Sequence, residues 1–188
     1  RPNWIVDNNF KKIDSRISKE ILSVGRLDKQ KNYEHLISLF TKESNFSLKI
    51  IGSGPEKEQL KERIYNNDLK VSIIDNLNNE DIKKEMNNYK YYLSSSKFEG
   101  NPKTILEAMI SGCVVIASDI PNHAELIDDG VNGLLFDLNS PNLQSLLKSI
   151  KGNVLTKSIS NQAAETIKIS HSINKISADY MNDYKTLI

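Results

Sequence analysis

The segment FEGNPKTILEAMISG, residues Phe98–Gly112, lies between two strand-like runs and predicts the fold of this part of the chain. KYYLSSS (Lys90–Ser96) and CVVIAS (Cys113–Ser118) are both typical of buried strands. The Asn-Pro pair within the segment is typical of a helix start, so the pattern predicts a strand–helix–strand unit. In a parallel sheet of this kind, Glu99 and Glu107 would lie near the carboxyl edge, where open α/β sheets bind ligands.

The same alternation of strand-like and helical patterns continues along most of the chain. Short apolar runs separated by amphipathic helices imply parallel pairing through right-handed crossovers. We therefore predict the α/β class, with a Rossmann-like, doubly wound, six-stranded parallel sheet and additional C-terminal helices. The predicted strands are Ile21–Gly25, Ser47–Gly52, Lys70–Asp75, Lys90–Ser96, Cys113–Ser118 and Asn132–Asp137, and the predicted helices are Asn32–Glu43, Pro55–Asn66, Asn79–Asn88, Pro102–Ser111 and Pro141–Ile150.

Both ends of the chain differ from this pattern. Residues 1–20 show no clear periodicity and are interpreted as an interdomain linker, while residues 21–152 form the predicted ligand-binding domain. Residues 153–188 carry apolar residues at helical spacing, which predicts one or two terminal helices packed on the sheet or on a part absent from this chain. The chain opens without a Met or an apolar leader, so we expect a fragment of a longer protein without a signal peptide.

Composition limits the possible function classes. The 188 residues carry a formal net charge of +1, which argues against a nucleic-acid or membrane-surface binder that works through bulk charge. The apolar runs are all shorter than a membrane span. The single cysteine, Cys113, excludes an intrachain disulfide and favours a reducing, cytoplasmic compartment, with peripheral association at the inner face of the membrane left open.

Two basic residues follow the first predicted strand. That strand ends in Gly25-Arg26, and Lys31 opens the next helix, so both cations would lie over the same sheet edge as Glu99. A guanidinium and an ammonium can balance the negative charge of a diphosphate through charge-assisted hydrogen bonds. The alternative interpretation is that Arg26 and Lys31 are ordinary solvated side chains of a loop. Beside glutamates that can accept hydrogen bonds from hydroxyls, the two cations favour a phosphorylated polyol such as a nucleotide sugar.

The helix that follows Glu99 supplies a second candidate anion contact. Asn101 is a typical cap and Pro102 suits the first turn, so the amides of Lys103 and Thr104 would face a phosphate. An ordinary helix cap without a ligand is the alternative.

Glu107 lies on the next turn of this helix, among apolar neighbours on most sides. The pattern predicts that its side chain sits at the boundary of the core. A carboxylate in that position is costly unless it has a partner, and ribose hydroxyls would supply one.

The second strand runs into Gly52-Ser53-Gly54-Pro55, which is similar to part of a phosphate-binding loop. The loop lacks the lysine of a nucleotide-binding P-loop and the glycine spacing of a dinucleotide site. It either forms a simple tight turn or bounds the cavity near the nucleoside.

Other chemistries have little support in the sequence. Cys113 is expected to pack in the core, and His123 is expected to line the cleft at the same rim as Glu99. No cluster has metal-ligand spacing, and the Gly-X-Ser-X-Gly motif of serine hydrolases is absent.

The ordered set of motifs resembles the C-terminal, donor-binding domain of the retaining family 4 glycosyltransferases (group 1, GT-B architecture). The resemblance covers about residues 21–150, and its most specific part is the pair of glutamates separated by seven residues. The matching motifs are VGRLDKQKN (Val24–Asn32), IIGSGP (Ile50–Pro55), FEGNPKTILEAMISGCVVIASDIP (Phe98–Pro121) and AELIDDGVNGLLF (Ala124–Phe136).

The resemblance implies transfer of a hexosyl group, with retention, from a nucleotide diphosphate sugar. Arg26 and Lys31 would hold the diphosphate without a divalent metal, Glu99 would contact the transferred sugar near its reacting carbon, and Glu107 would bind the ribose hydroxyls. No cofactor is implied, and a UDP-sugar is the expected donor substrate. The remaining implied donor contacts are Gly25, Gly52, Gly100, Asn101, Lys103 and Thr104.

The resemblance also implies partners outside this chain. Family members carry the acceptor site and a catalytic histidine on a preceding domain, so we expect this chain alone to transfer no sugar. The expected partners are that N-terminal domain and a carbohydrate or lipid-linked acceptor of surface polysaccharide or glycolipid biosynthesis, but not nucleic acid. Asn101-Pro102-Lys103 departs from many relatives and leaves the donor sugar open. The alternatives are half of a GT-B-like sugar-nucleotide 2-epimerase and a non-catalytic nucleotide-binding module.

Overall fold

The computed structural model describes residues 12–140, 142–150 and 155–170 of the chain. The strands are β1 (Ile17–Val24), β2 (Ser47–Ile51), β3 (Val71–Ile74), β4 (Tyr89–Ser94), β5 (Val114–Ser118) and β6 (Leu134–Phe136). A short 3-10 turn (Ile13–Ser15) precedes them, and the helices are α1 (Tyr33–Ile37), α2 (Lys57–Asn66), α3 (Asn79–Asn88), α4 (Lys103–Ile110), α5 (Pro121–Ala124), α6 (Asn142–Ser149) and α7 (Leu155–Ser170).

The six strands form one parallel sheet with the order β3-β2-β1-β4-β5-β6. This is the order of a Rossmann-like, doubly wound sheet, which confirms the predicted fold class. From β1 and β4 the chain winds outward in opposite directions. The crevice at the carboxyl ends of these two strands is therefore the switch point at which such sheets bind ligands.

Consecutive residues of the central strands are buried on opposite faces of the sheet. Ile21 packs in an apolar cluster with residues of α1, α2 and α6, whereas Leu22 packs in a second cluster with residues of α3, α4 and α7. Neither side chain has exposed surface. Because both faces are covered, the buried parts of these strands, residues 21–24 of β1 and 91–93 of β4, are mostly apolar and show no regular polar alternation.

β1 is longer than predicted. It begins at Ile17, which pairs with Tyr89 of β4, and Ile13 in the preceding turn is buried. The prediction that residues 1–20 form only a linker is therefore wrong from residue 13 onward. The remaining residues, 1–11, lie outside the described part of the chain.

α1 ends at Ile37, whereas the sequence pattern predicts a helix to Glu43. The amides of Leu39 and Phe40 donate to carbonyls three residues earlier, which tightens the end of the helix. The carbonyl of Phe40 then accepts a hydrogen bond of 2.7 Å from the amide of Lys70, just before β3. The chain after Ile37 is therefore held by tight turn bonds and one tertiary bond and does not continue as a helix.

α7 packs on its own sheet domain. Ala163 and Ile167 are buried with residues of α4 and β5, and Ser160 Oγ donates to Gly112 O at 2.7 Å. Of the two placements predicted for residues 153–188, on the sheet or on a part absent from this chain, residues 155–170 take the one on the sheet. Residues 153–154 and 171–188 lie outside the described ranges. Among the described helices, none is both long and apolar enough to cross a lipid bilayer.

Candidate functional site

Lys31 and Glu99 meet at the switch point of the sheet. Lys31 follows β1 and Glu99 follows β4, the two central strands. The Lys31 Nζ and Glu99 Oε1 atoms are 2.5 Å apart, and the two side chains are 19% and 6% exposed. Charges with so little solvent are costly unless well compensated, so the pair is a defined structural feature and not a solvated surface contact.

Two further side chains contact the Glu99 carboxylate. Ser96 Oγ donates to the same oxygen, Oε1, at 2.6 Å. Gln30 Nε2 approaches Oε2 at 3.4 Å and donates to the carbonyl of Phe98 at 3.0 Å. Of the two carboxylate oxygens, Oε2 therefore has more remaining capacity to accept a hydrogen bond from a ligand hydroxyl.

Hydrogen bonds tie the loop after β1 to the loop after β4. The amide of Lys97 donates to Gln30 O, and Ser95 Oγ donates to Lys31 O, both at 2.8 Å. Within the first loop, Asp28 Oδ1 accepts from the amide of Lys31 at 3.1 Å, as in an Asx-type turn. These bonds hold the backbone of Lys31 beside β4, so this part of the site is already formed in the free chain.

The glycines after β2 allow two loops to touch through their backbones. A Cβ atom at Gly52 would lie 1.9 Å from Gly25 O, and one at Gly54 would lie 2.4 Å from Leu27 O. The amide of Leu27 also donates to Ser53 O at 2.9 Å. Loop packing alone explains why these positions are glycine, which favours the tight-turn alternative for this motif.

A hollow of about 550 Å³ lies beside these loops, at the carboxyl ends of β1 and β2. Its lining includes Gly25, Arg26, Ser53, Gly54 and Asn76. Small-molecule sites commonly occupy about 300–1,000 Å³, so the hollow can hold a nucleoside-sized ligand.

Arg26 contributes to the hollow and not to the Lys31–Glu99 contact. Its side chain is 72% exposed, and its Nε atom lies 3.5 Å from Asp28 Oδ2. A surface ion pair of this kind contributes little stability. The guanidinium can therefore turn toward an anion in the hollow at small cost.

Glu107 lies on α4, with its side chain 16% exposed. Its Oε1 atom is 3.5 Å from Lys103 Nζ, one turn earlier on the helix. Burial raises the pKa of Tyr92, and the negative charge of Glu107 adds to this effect. The Tyr92 hydroxyl itself donates to Val24 O, at the end of β1, at 3.1 Å.

Helix α4 begins at Lys103, and Pro102 occupies the N-cap position without a side-chain cap bond. The prediction that Asn101 caps this helix is therefore wrong. The amide of Lys103 donates to Asn101 O at 2.8 Å and therefore already has a partner. Thr104 lies in the first turn. A Cβ atom at Gly100 would meet no atom within 4 Å, so packing within the chain does not explain this glycine.

Sequence reasoning missed the polar residues that surround Glu99. Ser96 is fully buried, and its position three residues before Glu99 is the only signal in the sequence. His123, expected to line the cleft, is instead fully buried after β5, with Nδ1 2.8 Å from Ser118 O. Burial lowers the pKa of His123, which favours the neutral imidazole.

Cys113 packs in the core, as predicted. Its side chain has no exposed surface, and its Sγ atom lies 3.1 Å from Met86 O. Burial raises the pKa of the Cys113 thiol to about 12, so the reactive thiolate is scarce near neutral pH. In the described ranges, no group of three His, Cys, Asp or Glu side chains is arranged to hold a metal ion.

The sequence matches a family of glycosyltransferases over most of its length. The profile of the family described as "Glycosyl transferases group 1" matches residues 6–167. The N-acetylgalactosamine-N,N'-diacetylbacillosaminyl-diphospho-undecaprenol 4-alpha-N-acetylgalactosaminyltransferase of Campylobacter jejuni is 33% identical over 156 residues. The match covers 80% of this chain and 42% of that relative, so the chain spans less than half of its length.

Solved structures of similar fold agree with the architecture. A variant of Staphylococcus aureus TarM, in complex with fondaparinux, alpha-GlcNAc-glycerol and UDP, has a TM-score of 0.85 and 24% identity, covering 96% of this chain and 38% of that one. Anabaena HepE, in complex with UDP and glucose, has a TM-score of 0.81 and 19% identity, covering 93% and 49%. At these identities the likeness supports the fold alone.

Proposed function

The chain belongs to the group 1 glycosyltransferases, and from this we propose that it is the donor-binding domain of a retaining family 4 enzyme with GT-B architecture. The proposed reaction transfers a hexosyl group from a nucleotide diphosphate sugar to an acceptor hydroxyl. A UDP-sugar is the proposed donor, because TarM and HepE were both solved with UDP. The Campylobacter relative is named for transfer onto an undecaprenol-linked saccharide, which supports a carbohydrate or lipid-linked acceptor in surface polysaccharide or glycolipid biosynthesis.

The observation that carries this proposal is the Lys31–Glu99 pair at the switch point of the sheet. A nucleoside in the hollow beside Gly25 and Arg26 would direct its diphosphate toward Lys31. Lys31 and a reoriented Arg26 would then stabilise the negative charge that develops on the leaving diphosphate. This arrangement requires no divalent metal, and metal independence is part of the proposal.

Glu99 is proposed to hold the transferred sugar, because its Oε2 atom has capacity to accept from a sugar hydroxyl. Its Oε1 atom already accepts from Lys31 and Ser96, which reduces the nucleophilicity of the carboxylate. Retention by same-face attack fits this arrangement. The acceptor oxygen bonds to the anomeric carbon while the bond from that carbon to the phosphate oxygen breaks. The acceptor proton passes to the departing phosphate oxygen.

Transfer is favoured over epimerisation by the comparisons, since the relative and the family are named as glycosyltransferases. A 2-epimerase half needs additional catalytic carboxylates and histidines. His123, expected to line the cleft, is instead fully buried, and burial lowers its pKa, which favours the neutral imidazole.

We expect the 188-residue chain to bind a nucleoside diphosphate without added metal. The reason is that Lys31 and Arg26 can supply the positive charge that a metal ion supplies elsewhere. Isothermal titration with UDP, ADP, GDP and their sugar conjugates, in the presence of a chelator, measures this directly. A folded chain that binds none of these compounds would contradict the proposed function, and binding only after a divalent cation is added would contradict the metal-independent part.

Glu107→Ala should weaken UDP binding more than Glu99→Ala does. Ribose is present in every nucleotide ligand, whereas the sugar that Glu99 is proposed to hold is absent from UDP. We expect a loss of about 10-fold for Glu107→Ala, in the range of a hydrogen bond to a charged group. Lys103→Ala is the control, because it removes the ammonium 3.5 Å from Glu107 but keeps the carboxylate and the backbone amide of residue 103, through which the donor contact is implied. If Glu99→Ala weakened UDP binding more than Glu107→Ala, the proposed roles of Glu99 at the sugar and Glu107 at the ribose would be wrong.

A further inference from the structure

A buried chain of polar groups connects Glu99 to the neighbouring strand β5. Ser96 Oγ donates to Glu99 Oε1 at 2.6 Å, and Ser118 Oγ donates to Ser96 O at 2.6 Å. His123 Nδ1 lies 2.8 Å from Ser118 O and 3.3 Å from Ser118 Oγ. Ser96, Ser118 and His123 have no exposed surface. Buried polar groups of this kind are costly unless satisfied, and when satisfied they fix one arrangement of the side chains.

The hydrogen bonds determine which nitrogen of His123 carries the proton. The hydroxyl proton of Ser118 is directed to Ser96 O, and a carbonyl oxygen can only accept. His123 Nδ1 is therefore the donor toward Ser118, an assignment made from the hydrogen-bond network. Its other nitrogen, Nε2, has no hydrogen-bond partner among the described residues. The ring is therefore held by the hydrogen bond of Nδ1.

We propose that Ser96 is a positioning residue for Glu99, and that Ser118 and His123 hold Ser96 in place. This inference rests on the proposed function, in which Glu99 Oε2 accepts from the transferred sugar. Lys31 Nζ and Ser96 Oγ both bond Glu99 Oε1, but of these two groups only the Ser96 hydroxyl belongs to a fully buried chain of polar groups. Ser96 therefore helps to keep Oε1 occupied and to leave Oε2 facing the ligand.

Ser96→Ala tests this inference through two dissociation constants of the 188-residue chain. We expect Kd for the bound nucleotide sugar to rise about 10-fold, the usual size for a lost hydrogen bond to a charged group. Kd for the matching nucleoside diphosphate should stay within about 2-fold, because the diphosphate does not contact Glu99. Ser96→Thr, which keeps the hydroxyl, should restore the wild-type ratio of the two constants.

Ser23→Ala is the matched control. Ser23 is 2% exposed, and its Oγ atom donates to Leu93 O at 2.7 Å in the same core, without contact to Glu99. Ser23→Ala should lower the melting temperature about as much as Ser96→Ala does. It should leave the ratio of the Kd values for the nucleotide sugar and the nucleoside diphosphate unchanged. A change of the ratio in Ser23→Ala equal to that in Ser96→Ala, or no change in either variant, overturns the positioning role.

A second measurement does not depend on a nucleotide. The carboxyl carbon resonance of Glu99, assigned by its loss in Glu99→Gln, should shift or broaden in Ser96→Ala because the carboxylate loses its fixed orientation. An unchanged resonance in a folded Ser96→Ala chain overturns the inference. If the wild-type chain binds no nucleotide sugar, the proposed function fails, while this resonance still decides whether Ser96 orients Glu99.

His123→Asn and His123→Leu test the far end of the chain. An Asn amide can donate from the position of Nδ1, so His123→Asn should keep the ratio of sugar-nucleotide to nucleotide affinity near the wild-type value. His123→Leu removes this donor and should shift the ratio in the same direction as Ser96→Ala, by a smaller factor. Equal losses in both variants would contradict a role for Nδ1.

Discussion

A Lys31→Met variant should bind a nucleoside diphosphate about 10- to 100-fold more weakly than the wild-type chain. A charge-assisted hydrogen bond contributes about 1.5–3 kcal/mol, and each 1.4 kcal/mol corresponds to a factor of 10. Removal of the ammonium also leaves Glu99, which is 6% exposed, without its cation. Isothermal titration of the same nucleotide against both chains measures the effect, and unchanged affinity would exclude Lys31 from the diphosphate site.

Lys49→Met is the control for the loss of a partly buried ion pair. Lys49 Nζ lies 2.8 Å from Glu85 Oε2, and their side chains are 21% and 24% exposed, close to the exposure of the Lys31 side chain. We expect each variant to lose about 1–2 kcal/mol of stability, less than the cost of breaking a fully buried pair. Only Lys31→Met should lose nucleotide affinity. If Lys49→Met weakened nucleotide binding as much as Lys31→Met, the effect of Lys31→Met would come from lost stability and not from a lost contact with the diphosphate.

The contact between Lys31 and Glu99 could be predicted only in part from the sequence. The apolar runs predict the strands, because strands such as β5 are covered on both faces. They also place both residues at the carboxyl ends of strands. The order of strands in the sheet, however, brings β1 next to β4, and with them Lys31 next to Glu99, which lies 68 residues later in the sequence. No local pattern encodes that neighbour relation, so the sequence predicts a shared sheet edge but not the direct contact.

The groups that support the site were harder to predict because tertiary contacts determine them. Ser96 is one of three consecutive serines, and only the fold shows which of them donates to Glu99. The predicted end of α1 was wrong, since the chain after Ile37 forms tight turn bonds and Phe40 O accepts a bond from the amide of Lys70, far along the chain. His123 was expected at the surface of the cleft, since the sequence places it just after a strand but does not show what covers it.

Gly52→Ala should destabilise the chain more than any other single-methyl change considered for the loops of the site. The added Cβ atom would lie 1.9 Å from Gly25 O and 3.0 Å from Gly25 C, both of them backbone atoms that cannot turn away. Forced overpacking of this kind costs about 3 kcal/mol. For a domain of this size the melting temperature should fall by about 6–12 °C, as measured by thermal unfolding followed by circular dichroism. A fall within the range of ordinary surface substitutions would contradict the close approach of the two loops.

Gly100→Ala is the matched control, since it adds the same methyl group to another glycine of the site. No atom lies within 4 Å of the added Cβ, so stability should change by no more than about 0.5 kcal/mol. If the transferred sugar lies against the backbone beside Glu99, the methyl group should instead weaken binding of the nucleotide sugar. The two glycines would then differ in kind, because Gly52 is required by the folded chain and Gly100 by its ligand. Equal losses of stability in Gly52→Ala and Gly100→Ala would contradict this distinction between the two glycines.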